Sequence, residues 1–224
     1  MPTTAHRRSE RLRTARLYLV CDARPAGRDP TAFLDAALAG GVDVVQLRDK
    51  TAADDDLLAA AALFRRACED RGALFIVNDR PDLAVAADAD GVHVGQDDVA
   101  VGDARASVGS ERLVGVSTHT VEQVDAGARS GADYLAVGPV HPTPTKPTYP
   151  AVGHALVAHA ARTVTLPWFA IGGIDATTVG GVAAAGAGRV VVVRALTEAD
   201  DPAAGARALR RGLECPEAGV GIVQ

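Results

Sequence analysis

Gln46, Arg48 and Lys50 place an amide, a guanidinium and an ammonium at alternate positions of one short segment. In an extended chain that spacing puts all three on one face, the face that Val44 occupies deeper in. A row of like-facing polar and cationic groups is costly in a core unless a ligand neutralises it, so the arrangement suits an anion. A strand edge salt-bridged to Asp49 is the structural alternative. The chain has only two lysines, Lys50 and Lys146, among its 23 basic residues. A compact ammonium is not interchangeable with a guanidinium where a point charge must meet a phosphate oxygen. Two surface accidents would give two lysines as well, so their neighbours carry the decision. Lys146 closes Pro142-Thr143-Pro144-Thr145-Lys146, a stiffened loop that offers two hydroxyls and a cation, as a phosphate cradle would. Proline restraint lowers the entropy lost when such a loop orders. A Schiff-base lysine needs a desolvated amine in an apolar pocket, and this loop is the wrong environment.

Other candidates stand at the ends of further apolar runs. Asn78-Asp79 follows one and Asp98 follows the next. Two hard oxygen ligands beside an anion site suit a Mg2+ that also holds substrate phosphates, although Asn-Asp after a strand is also an ordinary turn and cap. Ser117 could bond a phosphate or a polar ring atom. His119 is either an acid–base group or a histidine without function at a helix start. His93 reads as a packed strand histidine with no role. Gly172-Gly173 permits close backbone approach to an anion, or is a structural turn. Val193 and Arg194 end the last apolar run, and the arginine could help hold the same phosphate.

These residues need a frame that gathers strand ends. Short β-branched runs occur at Leu17–Val20, Val42–Leu47, Leu74–Asn78, Gly91–Gly95, Leu113–Ser117, Tyr134–Val140, Trp168–Gly172 and Val190–Arg194, with Ala-rich stretches of helical spacing between them. Leu57, Ala60, Ala61, Phe64 and Cys68 keep that spacing behind three aspartates that favour a helix start. Pro30, Pro81 and Pro202 fit first-turn positions, and Asp175 is placed to cap a helix from Val179 to about Ala185. Eight strand–helix beats predict an α/β fold, a single-domain (β/α)8 TIM barrel, whose chemistry lies on the loops after the strands. A doubly wound sheet would typically want fewer strands and a glycine-rich fingerprint after the first strand, which is absent. The barrel is expected over residues 17–214. Residues 1–16, with five arginines and one glutamate, are expected to form a basic tail, and residues 215–224 another.

Composition narrows the partners. A net charge of −5 argues against a nucleic-acid surface. No apolar run approaches the ~18 residues of a membrane span, and the basic start has no apolar core for a secretory signal. Three widely spaced cysteines fit reduced thiols in the cytoplasm. Small-molecule substrates are the expected partners, and a homo-oligomer is compatible with the sequence. Two anion sites across one mouth call for two phosphorylated ligands, one of which can be a pyrophosphate held by Mg2+.

The motifs resemble those of the thiamine phosphate synthase family. The matching blocks are Tyr18-Leu19-Val20, Gln46-Leu47-Arg48-Asp49-Lys50, Val77-Asn78-Asp79-Arg80, Asp90 to Gln96, Gly131 to Tyr134, Gly138-Pro139 with Pro142-Thr143 and Thr145-Lys146, and Ala170 to Ile174. The resemblance implies a transferase that joins a hydroxymethylpyrimidine pyrophosphate to a hydroxyethylthiazole phosphate and releases pyrophosphate by a dissociative, Mg2+-assisted route. Carried over by position, Gln46, Arg48, Lys50 and Asn78 hold the pyrimidine pyrophosphate. Ser117 and Lys146 also meet the pyrophosphate, and Asp79 and Asp98 bind Mg2+. Thr143, Thr145 and Gly173 fall on the thiazole phosphate side, and Val193 is a further substrate-binding position. Arg194 stands where the family often has serine, and His141 where a bulky aromatic is common. Rival readings are a thiazole tautomerase relative using His119, a non-catalytic phosphate-ligand sensor, and an aldolase or phosphosugar isomerase.

Overall fold

Each of the eight apolar runs forms a strand in a computed structural model that describes residues 3–143 and 150–214. The strands are β1 (Leu17–Cys21), β2 (Val44–Leu47), β3 (Leu74–Asn78), β4 (Gly91–Val94), β5 (Leu113–Thr118), β6 (Tyr134–Val137), β7 (Trp168–Ile171) and β8 (Val190–Val192). They pair in sequence order, and β1 also pairs in parallel with β8 through Tyr18 and Val191, which closes the barrel. Closure excludes the open doubly wound sheet.

Alternation sorts the strand residues onto two faces. Tyr18, Val20, Val44, Leu74, Ile76, Leu113, Tyr134, Phe169 and Val191 form one cluster inside the barrel. Leu19, Val45, Leu47, Phe75, Val77 and their equivalents pack in the cluster shared with the helices. Both faces are therefore dry, and for that reason the strands read as continuous apolar runs. Phe169, fully buried, contributes on the order of 2–3 kcal/mol by its removal from water. It meets Tyr18 and Tyr134 edge-on, at centroid distances of 5.4 and 5.9 Å. Gly115 makes room for the Tyr134 ring, because a Cβ there would lie 2.1 Å from Cζ.

The outer layer begins with α2 (Pro30–Ala39), α3 (Asp54–Arg71), α4 (Pro81–Ala86) and α5 (Val101–Val108). It continues with α6 (Val121–Gly127), α7 (Gly153–Thr163), α8 (Val179–Ala184), α9 (Arg194–Thr197) and α10 (Pro202–Glu214). Pro30, Pro81 and Pro202 open their helices as expected. Asp175 does not cap α8 directly. Its carboxylate accepts the Thr177 and Thr178 amides, its carbonyl accepts the Val179 amide, and Thr178 is the N-cap residue.

Residues 4–14 correct the expectation of a tail. They form a helix, α1 (Thr4–Thr14), which buries Arg8 and Leu12. Leu12 joins the cluster inside the barrel. Arg8 Nε donates to Asp90 Oδ1 at 2.8 Å, and its Nη1 donates to the Glu111 carbonyl at 3.0 Å. Arginine richness concealed a helical face, since Arg8 and Leu12 are one turn apart and point the same way. The other expected tail, 215–224, lies outside the described residues.

Aspartates fix the base of the barrel. Asp43 Oδ2 accepts the Leu17 amide at 2.9 Å, Asp90 Oδ2 the Phe75 amide at 2.9 Å, and Asp133 Oδ2 the Val114 amide at 2.7 Å. Each stands before an even-numbered strand and ties down the strand that precedes it. β2 therefore begins at Val44 and not at Val42. At the other end, β4, β6, β7 and β8 stop one to three residues earlier than the apolar runs suggested. Among the described residues, no helix is long and apolar enough to cross a membrane.

Candidate active site

The strand ends enclose a cavity of about 430 Å³ at the C-terminal mouth of the barrel. β2 sends Gln46 into it, as alternation requires, and Arg48, the residue after the strand, lines it too. Gln46 is buried, and its amide nitrogen donates to the Tyr18 hydroxyl at 2.7 Å. β2 ends at Leu47, however, so alternation does not extend to Lys50. That side chain turns into an adjoining groove and brings Nζ to 3.3 Å from Asp79 Oδ2. Asn78 lines both spaces and joins them. The strand-edge alternative also fails, because Asp49 accepts the amides of Thr51 and Ala52 at 3.0 Å and so caps a turn.

Asp79 and Asp98 converge, as their places after neighbouring strands suggested. Asp79 adopts φ +59°, and its amide donates to the His93 carbonyl at 2.8 Å. Burial raises its pKa, the hydrogen-bonded Asp98 carboxyl raises it further, and Lys50 opposes both. Two carboxyls driven together in this way lower their mutual cost by sharing a cation. Asp98 Oδ2 is itself held by the Gly95 amide at 2.9 Å. Among the described residues no cluster of three His, Cys, Asp or Glu side chains could hold a metal. The donor set fits an ion such as Mg2+, which keeps waters and takes substrate phosphate oxygens alongside one or two carboxylates.

Across the mouth, the segments after β6 and β7 extend the sheet. The Val140 amide donates to the Ile171 carbonyl at 2.8 Å and the His141 amide to Gly172 at 3.0 Å. Gly172 and Gly173 line the cavity with φ +107° and +62°. A Cβ on Gly173 would lie 2.7 Å from His141 Cβ and 2.9 Å from the Pro142 carbonyl, so glycine is required there. Thr143 lines the cavity, whereas Thr145 and Lys146 fall outside the described residues. Val193 and Arg194 line it too. Arg194 opens α9 and does not end β8, because Val193 leaves the extended region with φ −123° and ψ −87°. The Arg194 side chain is 48% exposed, and its one ion-pair partner among the described residues is Glu198, at 3.9 Å. His119 also faces the cavity, with Nδ1 bonded to the Gly138 carbonyl.

The cavity floor holds a chain of polar groups that the sequence reading did not identify. The Tyr18 and Tyr134 hydroxyls are 3.0 Å apart, Tyr134 meets His93 Nδ1 at 3.2 Å, and His93 Nε2 meets Ser117 Oγ at 2.9 Å. His93 is packed within a strand, as expected, but it also connects Ser117 to the tyrosines. The available signal was the presence of polar residues on inward strand positions otherwise filled by Val, Leu and Phe.

A family model described as thiamine monophosphate synthase matches residues 17–196. The thiamine-phosphate synthase of Thermobifida fusca (strain YX) is 54% identical over 206 residues, covering 91% of this chain and 94% of that protein. The one from Saccharopolyspora erythraea is 53% identical over 211 residues, covering 91% and 95%. Among solved structures, the thiamine phosphate pyrophosphorylase from Pyrococcus furiosus superposes with a TM-score of 0.82 at 29% identity, covering 92% of this chain and 97% of that one. A 3-hexulose-6-phosphate synthase at 21% identity and TM-score 0.62 shares the fold alone. On its matched span, its relatives and the arrangement of its strand ends, the chain belongs to the thiamine monophosphate synthase family.

Proposed function

We propose that the two sides of this mouth divide the family reaction between them. The chain is a transferase that joins 4-amino-2-methyl-5-hydroxymethylpyrimidine pyrophosphate to 4-methyl-5-(2-hydroxyethyl)thiazole phosphate, giving thiamine phosphate and pyrophosphate. In our reading, Gln46, Arg48, Lys50, Asn78, Ser117 and Lys146 take the pyrimidine pyrophosphate. Thr143, Thr145, Gly173, Val193 and Arg194 take the thiazole phosphate. Asp79 and Asp98 hold Mg2+, which when bound would neutralise charge on the departing pyrophosphate.

The observation that carries this reading is the meeting of Lys50, Asp79 and Asp98 beside Arg48 and Asn78. Arg48 and Lys50 stabilise the leaving group as the pyrimidine methylene C–O bond breaks and its electron pair departs with pyrophosphate. The opposite wall orients the thiazole so that its ring nitrogen donates a lone pair to the methylene carbon and forms the C–N bond. No protein nucleophile is needed. Consistently, Cys21 and Cys68 are buried, and burial pushes both thiols up, away from the reactive thiolate. Free buried thiols also suit a cytoplasmic setting.

The decisive experiment mixes purified protein with both substrates and Mg2+ and measures thiamine phosphate. Product that depends on Mg2+ is expected, and its absence would sink the reading.

A further inference from the structure

Ser117 and Gln46 lie far apart in sequence, yet the floor of the cavity joins them through three intervening side chains. Gln46 Nε2 donates to the Tyr18 hydroxyl. Having accepted that hydrogen bond, Tyr18 has its own proton to give, and Tyr134 lies 3.0 Å away. If Tyr18 gives that proton to Tyr134, the Tyr134 proton is left for His93 Nδ1, 3.2 Å away. A neutral imidazole carries one donor and one acceptor nitrogen. With Nδ1 accepting, Nε2 holds the proton and donates to Ser117 Oγ at 2.9 Å. The Ser117 proton is then left to point away from the chain, into the cavity. At the other end, the Gln46 nitrogen gives one of its two hydrogens to Tyr18, and that bond fixes which way the amide faces, with its carbonyl oxygen available to a ligand.

All five residues line this cavity or lie directly beneath it, and all are buried: Tyr134 0%, Tyr18 1%, Gln46 3%, His93 6% and Ser117 7% exposed. Burial pushes both phenols well up, so each keeps the proton it must pass on. Among the described residues the floor has no Lys or Arg of its own: Arg48 lines the cavity beyond Gln46, and Lys50 lies in the adjoining groove. A desolvated neutral floor suits an uncharged ring, whereas the cations above it suit a pyrophosphate.

We propose that Tyr18, Tyr134 and His93 are positioning residues that fix the proton direction of this chain, so that Ser117 donates and Gln46 accepts toward the pyrimidine ring. An aminopyrimidine edge has the complementary pattern, a ring nitrogen that accepts beside an exocyclic amine that donates. An oxo analogue reverses both: its ring N–H displaces the Ser117 proton, which is left unpaired in the buried floor, and its carbonyl faces the Gln46 oxygen unless that amide turns. The inference rests on the substrate assignment above and adds to it how the ring is selected.

Two measurements test it. In the 15N-labelled full-length protein, with the His93 signals assigned by their loss in His93→Gln, Nε2 is expected to carry the proton and Nδ1 to be bare. A protonated Nδ1 at neutral pH, in the other tautomer or in the cation, overturns the proposal. Tyr134→Phe cuts the chain while keeping the ring. It is expected to raise the KM for the pyrimidine pyrophosphate about tenfold and leave the KM for the thiazole phosphate unchanged. It is also expected to lower, about tenfold, the preference for the amino substrate over its oxo analogue. Tyr18→Phe cuts the chain at the next link and substitutes if the first variant fails to fold. A folded variant that keeps the wild-type preference overturns the proposal. The wild-type reaction separates this failure from the other: if the wild type forms no thiamine phosphate, the substrate assignment fails, and if it forms product while the preference or the tautomer disagrees with expectation, only the proton chain fails.

Discussion

At the base of the barrel, Asp43, Asp90 and Asp133 each accept a strand amide and each meet an arginine: Arg210 at 2.8 Å, Arg8 at 2.8 Å and Arg105. At the mouth, Arg48 lines open space, Lys50 is 58% exposed and meets Asp79 at 3.3 Å, and among the described residues Arg194 has Glu198 alone, at 3.9 Å. The carboxylates differ in the same way. Asp90 is closed off by cationic and amide donors, whereas Asp79 and Asp98 are pressed against each other. One end spends its charges on joining strands, and the other leaves them facing a cavity. Charge neutralised within the chain is architecture, and charge left for a ligand to neutralise is function.

Removing charge at either end should therefore give opposite phenotypes. The largest effect is expected at the mouth. Asp79→Ala or Asp98→Ala should lower Mg2+-dependent turnover by about 10²–10³-fold, the scale of losing one element of leaving-group stabilisation. The melting temperature should barely move, and unchanged Mg2+ dependence in both variants would refute the metal assignment. At the base, Asp90→Ala strands the buried Arg8 and should cost about 3 kcal/mol in urea unfolding. Both KM values should stay at wild-type level at temperatures where the variant is folded, and a kinetic defect there would blur the distinction between the two ends. Gly173→Ala probes the mouth wall through backbone strain. It should raise the KM for thiazole phosphate roughly tenfold, which corresponds to about 1.4 kcal/mol. Arg194→Ala is expected to have the smallest effect, a rise of a few-fold in the same KM, because an exposed cation is screened. An equal rise for the pyrimidine pyrophosphate would remove Arg194 from the thiazole side.

How legible these features were depended on how locally each is encoded. Both faces of every strand are dry, so the eight runs could be read as strands directly. The meeting of Asp79 with Asp98 followed from their places after adjacent strands. Lys50 was misplaced because alternation holds only while the strand lasts, and β2 ends at Leu47. The docking of α1 was hidden because five arginines dominate a segment whose two inward residues are few and dissimilar. The members of the proton chain could be suspected from their inward positions, but not their connection, since Tyr18 and Tyr134 are 116 residues apart and meet inside the barrel. Register along a strand predicts which way a side chain points, but not which distant strand it meets.

The seal at the base bears on how the chain is made. Arg8 finds Asp90 82 residues later and the Glu111 carbonyl 103 residues later, and β1 reaches its second neighbour only when Val190–Val192 has been synthesised. A ribosome releases α1 and β1 well before Asp90, Glu111 and β8 exist for them to close against. β1 can pair with β2 at once, but its other edge stays open until β8 emerges. Loop-closure entropy makes such distant pairings slow. During synthesis, the segment that finally seals the barrel is therefore the one exposed longest to chaperones and proteases.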